Sequence, residues 1–158
     1  MERNKRTRSD HDNHHDDYSI IEKLIAEILK KLKDSTNAID VPNLNAFERK
    51  QIHSYFDDNT NFKTKTYRID NKFIMKIYPI GNLKRMAEAK AREVLETGES
   101  VFLSNLGNYE RFIIHDHLKS FEGIETISSG EGDQRVLEIK RKQFGRSLKR
   151  IIKKIKLI

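Results

Sequence analysis

The sequence contains no cysteine, and this absence excludes disulfide scaffolds, thiol catalysis and cysteine-based zinc sites. No apolar run approaches the roughly 20 residues that a membrane-spanning helix needs. Positions 1–17 carry none of the apolar sequence that forms the centre of a signal peptide. Together these absences predict a protein of the reducing cytoplasm.

Hydrophobic residues are scarce, at 36% of the 158 residues, and charged residues make up almost the same share, 35%. Such a chain can form one ordinary domain or two very small ones, with a modest core. The sequence also lacks a nucleophile elbow, a P-loop and the His-Glu-x-x-His motif of zinc enzymes. We therefore predict a binding protein rather than an enzyme, with no cofactor and no metal site.

Basic residues outnumber acidic ones, 31 to 24, which gives a net charge of +7 and favours a polyanionic partner. The excess is local. Residues 139–158 contain nine Lys and Arg and no acidic residue, so their charge of +9 leaves −2 for residues 1–138.

The C-terminal segment, residues 143–158, is predicted to be a basic amphipathic helix. Three interpretations remain open: it follows a nucleic-acid backbone, it docks on a membrane surface or partner protein, or it packs on its own chain. In the first case the candidate phosphate contacts in and just before this segment are Lys140, Arg141, Lys142, Arg146, Lys149, Arg150 and Lys153.

Patterns along the rest of the chain predict a polar, disordered tail over residues 1–18 and ordered structure from Ser19, the expected N-cap of a first helix. A short strand around Val41 and a second helix over residues 44–56 follow. Asn45 and Glu48 have the spacing of a capping box at the start of that helix. Two strands, residues 62–68 and 73–78, are then joined by a turn at Asp70-Asn71.

The chain then repeats this order of elements. Helices are predicted over residues 84–97 and 106–118, and strands at 101–103, 124–128 and 135–140. Adding 62 to a position in the first unit gives its counterpart in the second without a gap. The matching pairs include Asn43 with Asn105, Leu44 with Leu106, Glu48 with Glu110, Arg49 with Arg111, Ile52 with Ile114, His53 with His115, Thr64 with Thr126 and Ile77 with Ile139. The repeat predicts a duplicated module.

The repeated pair that carries most chemistry is an arginine followed four residues later by a histidine. Arg49 and His53 lie one turn apart on one helix, and Arg111 and His115 do the same on the other. A guanidinium suits phosphate oxygens, and an imidazole can donate to phosphate or stack on a base. Each pair could also simply share a solvated helix face. Their recurrence at equivalent places favours the functional interpretation.

The pattern [FY]-E-R-x-x-I-H followed by two strands resembles the R3H domain, named for its Arg-x-x-x-His. The stretch VLETGESVFLSNLGNYERFIIHDHLKSFEGIETISSGEGDQRVLEI, within a match of about 85–139, is similar to the C-terminal R3H domain of bacterial Jag-type proteins. Those proteins combine a KH domain with an R3H domain and are linked to RNA binding.

This resemblance implies an α+β fold in which a three-stranded sheet packs on two helices. It also implies that Arg111 and His115 lie near a surface for single-stranded RNA or DNA, where Arg135 could extend the basic face. Positions 1–80 contain no glycine, so the Gly-x-x-Gly clamp of a KH domain is missing. We therefore expect residues 19–80 to be a divergent R3H-like module, with a degraded KH domain as the alternative, and residues 83–142 to be an R3H domain.

The expected partner is thus single-stranded RNA or DNA, and RNA is favoured by the resemblance. The alternative is a scaffold whose modules support docking of the C-terminal helix on another RNA-binding protein or on a membrane surface. Salt dependence of binding, and truncation of the chain after Lys142, would separate these two hypotheses.

Overall fold

A computed structural model describes residues 10–143 of the chain, with side-chain surroundings from Tyr18 onward. The fold is α+β, as predicted, with four α-helices and two three-stranded antiparallel sheets in these residues. Within the same range, no helix combines the length and the apolar composition required to cross a bilayer. The predicted helix over 143–158, with Arg146, Lys149, Arg150 and Lys153, lies outside the described residues apart from its first position.

The chain divides between Asn82 and Leu83 into two compact units, called unit 1 and unit 2. Unit 1 begins with helix α1, Asp10–Leu32, followed by β1, Ile39–Pro42. Helix α2 spans Ala46–Asp57, and the hairpin strands are β2, Lys63–Ile69, and β3, Lys72–Tyr78. The sheet order is β1-β3-β2, so β3 is central. The buried core lies between this sheet and the helices, and its fully buried side chains include Leu32, Ile52, Phe56 and Ile77.

Unit 2 repeats this arrangement. Helix α3 spans Ile80–Thr97, with its first three residues in unit 1, and β4 spans Val101–Leu103. Helix α4 spans Asn108–Leu118, β5 spans Ile124–Ser129, a short 3₁₀ turn covers Gly132–Gln134, and β6 spans Val136–Arg141. The sheet order β4-β6-β5 again places the last strand at the centre.

The two sheets also share their register. Ile39 pairs with Ile77 in unit 1, and Val101 pairs with Ile139, both 62 positions later, in unit 2. The hairpins agree as well, since Thr64 faces Ile77 and their counterparts, Thr126 and Ile139, also face each other. A shift of one residue would have turned every side chain to the other face of the sheet.

Helix α1 starts earlier than predicted. It begins at Asp10, so Ser19 is not its N-cap, and residues 10–18 of the predicted disordered tail are helical. The predicted start rests on the apolar pattern, which begins at Ile20, so that pattern could not reveal helical residues before it.

Helix α3 also begins earlier, at Ile80 instead of residue 84, and it includes Gly81. The Gly81 amide donates to the carbonyl of Asn61 at 2.9 Å. A β-carbon on Gly81 would lie 2.5 Å from the Asn61 side-chain oxygen. Glycine therefore allows a close approach here and does not break the helix.

The residue after Gly81, Asn82, closes the end of α1. Its side-chain amide donates to the carbonyls of Leu32 at 2.8 Å and Ser35 at 2.7 Å. The last carbonyls of a helix lack partners within the helix, so this amide satisfies groups that would otherwise need water.

Candidate nucleic-acid interface

The capping box predicted at the start of α2 is present. The Glu48 amide donates to the Asn45 side chain at 2.9 Å, and the Asn45 amide donates to the Glu48 carboxylate at 2.7 Å. In α4 only half of the box remains, because Gly107 has no side chain and the Glu110 carboxylate accepts from the Gly107 amide. Each box fixes the start of the helix that carries an Arg-x-x-x-His pair.

The arginine of each pair is tied to the loop that precedes its helix. Arg49 donates through Nη1 to the carbonyl of Leu44 at 2.5 Å, and Arg111 donates through Nη1 to the carbonyl of Leu106. The loops have the same shape, since Asn43 and Asn105, at φ 62° and 58°, both adopt the left-handed conformation that asparagine tolerates.

Burial and hydrogen bonds fix Arg111 more tightly than the sequence suggests. Its side chain is buried, and Nη2 also donates to the side-chain oxygen of Asn108. These two bonds use two of the five N–H donors of a guanidinium. The arginine therefore organises the loop before α4 while its charge stays at the edge of a cleft.

The histidine of each pair links its helix to the neighbouring strand. In unit 2 the His115 ring bonds the Thr126 hydroxyl through Nδ1 at 2.6 Å and the Ser128 hydroxyl through Nε2 at 2.7 Å. In unit 1 His53 bonds the Thr64 hydroxyl through Nδ1, while Nε2 lies 3.4 Å from the Asp57 carboxylate.

Burial lowers the pKa of His115 below its ordinary value, and the positive charges of Arg111 and then Arg135 lower that pKa further. The ring is therefore neutral at neutral pH. A neutral imidazole has one N–H donor and one acceptor nitrogen, and two hydroxyls can satisfy both. His115 thus acts as a clamp between α4 and β5.

A cleft of about 580 Å³ opens beside Arg111. The walls come from the loop before α4 and from the loop between β5 and β6. They are formed by Asn105, Leu106, Gly107, Asn108, Arg111, Gly132, Asp133 and Arg135. The cleft thus joins two guanidinium groups, two side-chain amides and one carboxylate.

The loop between β5 and β6 forms one side of this cleft. Gly130 has φ +89°, and a β-carbon there would lie 2.8 Å from the carbonyl oxygen of Gln134. The turn continues through a bond from the Gln134 amide to the Glu131 carbonyl at 3.1 Å. This tight path brings Arg135, which is exposed, to the cleft.

The remaining described candidates are spread over unit 2. Arg141 donates to the carbonyls of Val94 and Leu95, so it caps the C-terminal end of α3. Lys142 lines a smaller cleft of about 370 Å³ together with His115 and Thr126. Lys140 is half-buried on β6, opposite Glu125 of β5. The structure therefore brings Arg111 and Arg135 together but leaves Arg141 and Lys140 apart from their cleft.

Sequence reasoning missed Asn108, Ser128 and Phe73 as members of these sites. Phe73 occupies the position equivalent to Arg135, and the Arg49 guanidinium lies over its ring at 4.6 Å. The repeat offset could have revealed this exchange, because it aligns Phe73 with Arg135.

Comparison with known proteins supports the prediction that unit 2 contains an R3H domain. The R3H domain family matches residues 81–141. The RNA-binding protein KhpB of Lactiplantibacillus plantarum is 40% identical over 57 residues, which are 36% of this chain and 18% of that protein. The chain thus matches about a fifth of the length of that relative. Residues 81–141, which carry the Arg111 and His115 pair, are therefore an R3H domain.

Proposed function

We propose that this protein binds single-stranded nucleic acid, with RNA as the favoured ligand, and that it is a binding protein and not an enzyme. The cleft of unit 2 is the primary site. The observation that carries the proposal is the convergence of Arg111 and Arg135 on this cleft, beside the Asn105 and Asn108 side chains. Its location in the cytoplasm remains a prediction from the cysteine-free sequence.

The cleft offers the two kinds of contact that an unpaired strand needs. Guanidinium groups pair with phosphate oxygens, and side-chain amides can hydrogen-bond base edges or sugar hydroxyls. Asp133 on the same wall limits the positive potential, and its carboxylate can accept from an exocyclic amino group of a base. The R3H match over residues 81–141 and the similarity to KhpB, an RNA-binding protein, both support this ligand class.

The burial and the hydrogen bonds of the candidate residues suggest a different role in binding for each of them. Arg135 is exposed and makes the direct phosphate contact, while buried Arg111 supplies charge and holds the loop before α4. His115 acts as a positioning residue, because both of its ring nitrogens bond hydroxyls of β5. Arg49 and His53 serve the same architectural role in unit 1 and contribute less to binding.

We also propose that unit 1 is a divergent second R3H module and not a degraded KH domain. The support is the shared sheet order, the shared register and the recurrence of two side-chain contacts at the repeat offset. Those contacts are the arginine bond to a leucine carbonyl and the histidine bond to a threonine hydroxyl.

The test is fluorescence anisotropy of labelled, mixed-sequence single-stranded RNA and DNA with the full chain, across a salt series. The variant is Arg135→Gln, since changing Arg111 or His115 would also remove structural bonds. Arg92→Gln is the matched control, because Arg92 is exposed on α3 of the same unit. We expect Arg135→Gln to weaken RNA binding roughly fivefold at low salt and the control to bind like the wild type.

Equal affinities of Arg135→Gln and Arg92→Gln would contradict the cleft as the site. A chain truncated after Lys142 provides the second comparison. If truncation abolishes binding while Arg135→Gln leaves it unchanged, the C-terminal segment carries the interaction and the docking-scaffold alternative is favoured.

A further inference from the structure

The sheet of unit 1 has a basic outer face, directed away from its core. Alternation along the strands defines the two faces, because Thr64, Met75 and Ile77 are buried on the inner side. Besides the buried Tyr78, the outward positions include four lysines and the exposed Tyr67. We call these residues the basic sheet face: Lys63, Lys65, Tyr67, Lys72 and Lys76.

The corresponding face of unit 2 has a different charge. Lys63 and Lys76 of unit 1 correspond to Glu125 and Glu138, and Lys65 corresponds to Ile127. The inner faces, in contrast, keep Thr64 as Thr126 and Ile77 as Ile139. The two modules thus share their packing side but differ in the sign of charge that they present outward.

The positive charges on the basic sheet face are crowded. Lys65 and Lys76 are directly opposite each other on adjacent strands. Like charges in such cross-strand positions destabilise a sheet. Asp40 reaches the Lys76 ammonium at 3.1 Å and offsets part of this repulsion, and Asp57 lies 3.7 Å from Lys63. A polyanion bound across the face would lower the repulsion further.

An aromatic ring lies within this charged surface. The Tyr67 side chain is 37% exposed, and its hydroxyl is 2.9 Å from the hydroxyl of Tyr78, which fixes the direction of the ring. Lysines for phosphates combined with an aromatic ring for a base are the usual elements of a single-strand binding surface on a sheet.

We propose that the basic sheet face of unit 1 is a second binding surface for single-stranded nucleic acid, in which the lysines contact phosphates and Tyr67 stacks on a base. The inference rests on the proposed function for its ligand class, but it uses a surface separate from the cleft of unit 2. Unit 1 therefore contributes mainly through its sheet and less through Arg49 and His53.

The experiment uses the full chain with the double variant Lys65→Gln/Lys72→Gln. The matched control is Lys23→Gln/Lys30→Gln, which removes the same charge from exposed positions of α1 in the same unit. Thermal unfolding verifies that both variants are folded. Anisotropy with a labelled mixed-sequence single-stranded RNA is then measured over a salt series, alongside Arg135→Gln.

We expect the plot of log affinity against log salt concentration to become shallower by about 1.4 for Lys65→Gln/Lys72→Gln, since each lost phosphate contact on a single strand contributes about 0.7. Affinity at low salt should fall roughly tenfold. The α1 control should keep the wild-type slope. In a parallel measurement, an RNA containing 4-thiouridine should crosslink on irradiation to the peptide that contains Tyr67.

Equal slopes for the two double variants, with no crosslink at Tyr67, would overturn the inference. The measurement with Arg135→Gln tests separately whether the cleft of unit 2 is a binding site. If Arg135→Gln binds like the wild type while Lys65→Gln/Lys72→Gln loses affinity, the basic sheet face is supported as a binding surface and the cleft is contradicted as a binding site. If an acidic polypeptide such as polyglutamate binds this face and the RNA does not, the partner is a protein and the inference is also overturned.

Discussion

In unit 1 the guanidinium of Arg49 lies over the ring of Phe73, whereas in unit 2 the guanidinium of Arg111 shares an open cleft with Arg135. The backbone register around the two arginines is the same, and each donates to the carbonyl of an equivalent leucine. One exchange, Phe73 for Arg135, thus separates an arginine that contacts an aromatic ring from one that shares a cleft with a second guanidinium. A repeated motif can therefore keep its structural bonds while the groups around it change.

The two histidines also differ in their hydrogen-bond partners. His115 bonds two hydroxyls of β5, whereas His53 bonds one hydroxyl and faces the Asp57 carboxylate. An acidic neighbour opposes the approach of a phosphate. Unit 1 therefore has a less suitable helix face for nucleic acid, although its sheet carries more positive charge than that of unit 2.

The largest expected effect comes from removing the arginine that each module uses to hold its loop. Arg111→Met should lower the free energy of unfolding of unit 2 by about 2–4 kcal/mol, because the Leu106 carbonyl and the Asn108 side-chain oxygen lose a buried partner. Arg49→Met should cost unit 1 roughly half as much, since Arg49 bonds the Leu44 carbonyl and is less buried. Urea unfolding followed by circular dichroism, with hydrogen exchange to separate the units, measures both. Equal losses would show that burial of the guanidinium does not distinguish the modules.

The next effect tests what the exchange of Phe73 for Arg135 contributes to binding. Phe73→Arg should add a guanidinium beside those of Arg49 and Arg68, which both lie over the Phe73 ring, and tighten RNA binding about fivefold at low salt, the gain expected from one phosphate contact. Phe73→Gln serves as the control, because it removes the ring without adding charge. Anisotropy with the same labelled RNA measures both variants. An equal gain for both would mean that loss of the Phe73 ring is enough and that the added charge is not needed.

The dependence of stability on pH should reveal the partly buried state of His115. The folded-state pKa of His115 is lowered, so the unfolded chain takes up a proton first as the pH falls below the ordinary histidine value. Stability from this group is therefore fully present above that value and is lost as the pH falls through it toward the lowered pKa. Urea unfolding of the wild type and of His115→Asn, at about pH 7.5 and about pH 5, measures the difference. A pH dependence that is the same in both proteins would contradict this account.

The smallest effect concerns the two helix starts. Asn45→Gly should remove the side-chain half of the capping box in α2 and make it resemble α4, at a cost of a few tenths of a kcal/mol, whereas Asn45→Ala should cost about 1 kcal/mol. Thermal unfolding of the two variants gives the comparison. A loss for Asn45→Gly as large as that for Asn45→Ala would indicate that Asn45 supports more than the helix start.

Local patterns predicted much of this fold. The capping box of Asn45 and Glu48, the Asp70-Asn71 turn and the order of helices and strands along the chain depend on neighbouring residues, and the structure confirms them. The start of α3 was wrong because Gly81 approaches Asn61, a contact across 20 positions that no local pattern contains.

The site was predicted less completely, because its contacts also join residues that are far apart in the sequence. The sequence indicates that Arg111 and His115 share a helix face, but the burial of Arg111 depends on a loop that folds back over it. The partners of His115 come from β5, 11 and 13 residues away. The identity of Thr64 and Thr126 at the repeat offset was a usable signal for one of these partners, whereas nothing local indicates Ser128.

The shared register of the two sheets also bears on how the chain avoids misassembly during folding. Tandem modules with the same strand order can exchange equivalent elements, and such swapping is a common failure of repeat proteins. The buried side chains of the helices that pack on the sheets differ in size at matching positions, since Ile25 of α1 corresponds to Ala87 of α3. A swapped helix would leave a void in one module and crowd the other, so the unequal cores favour correct pairing.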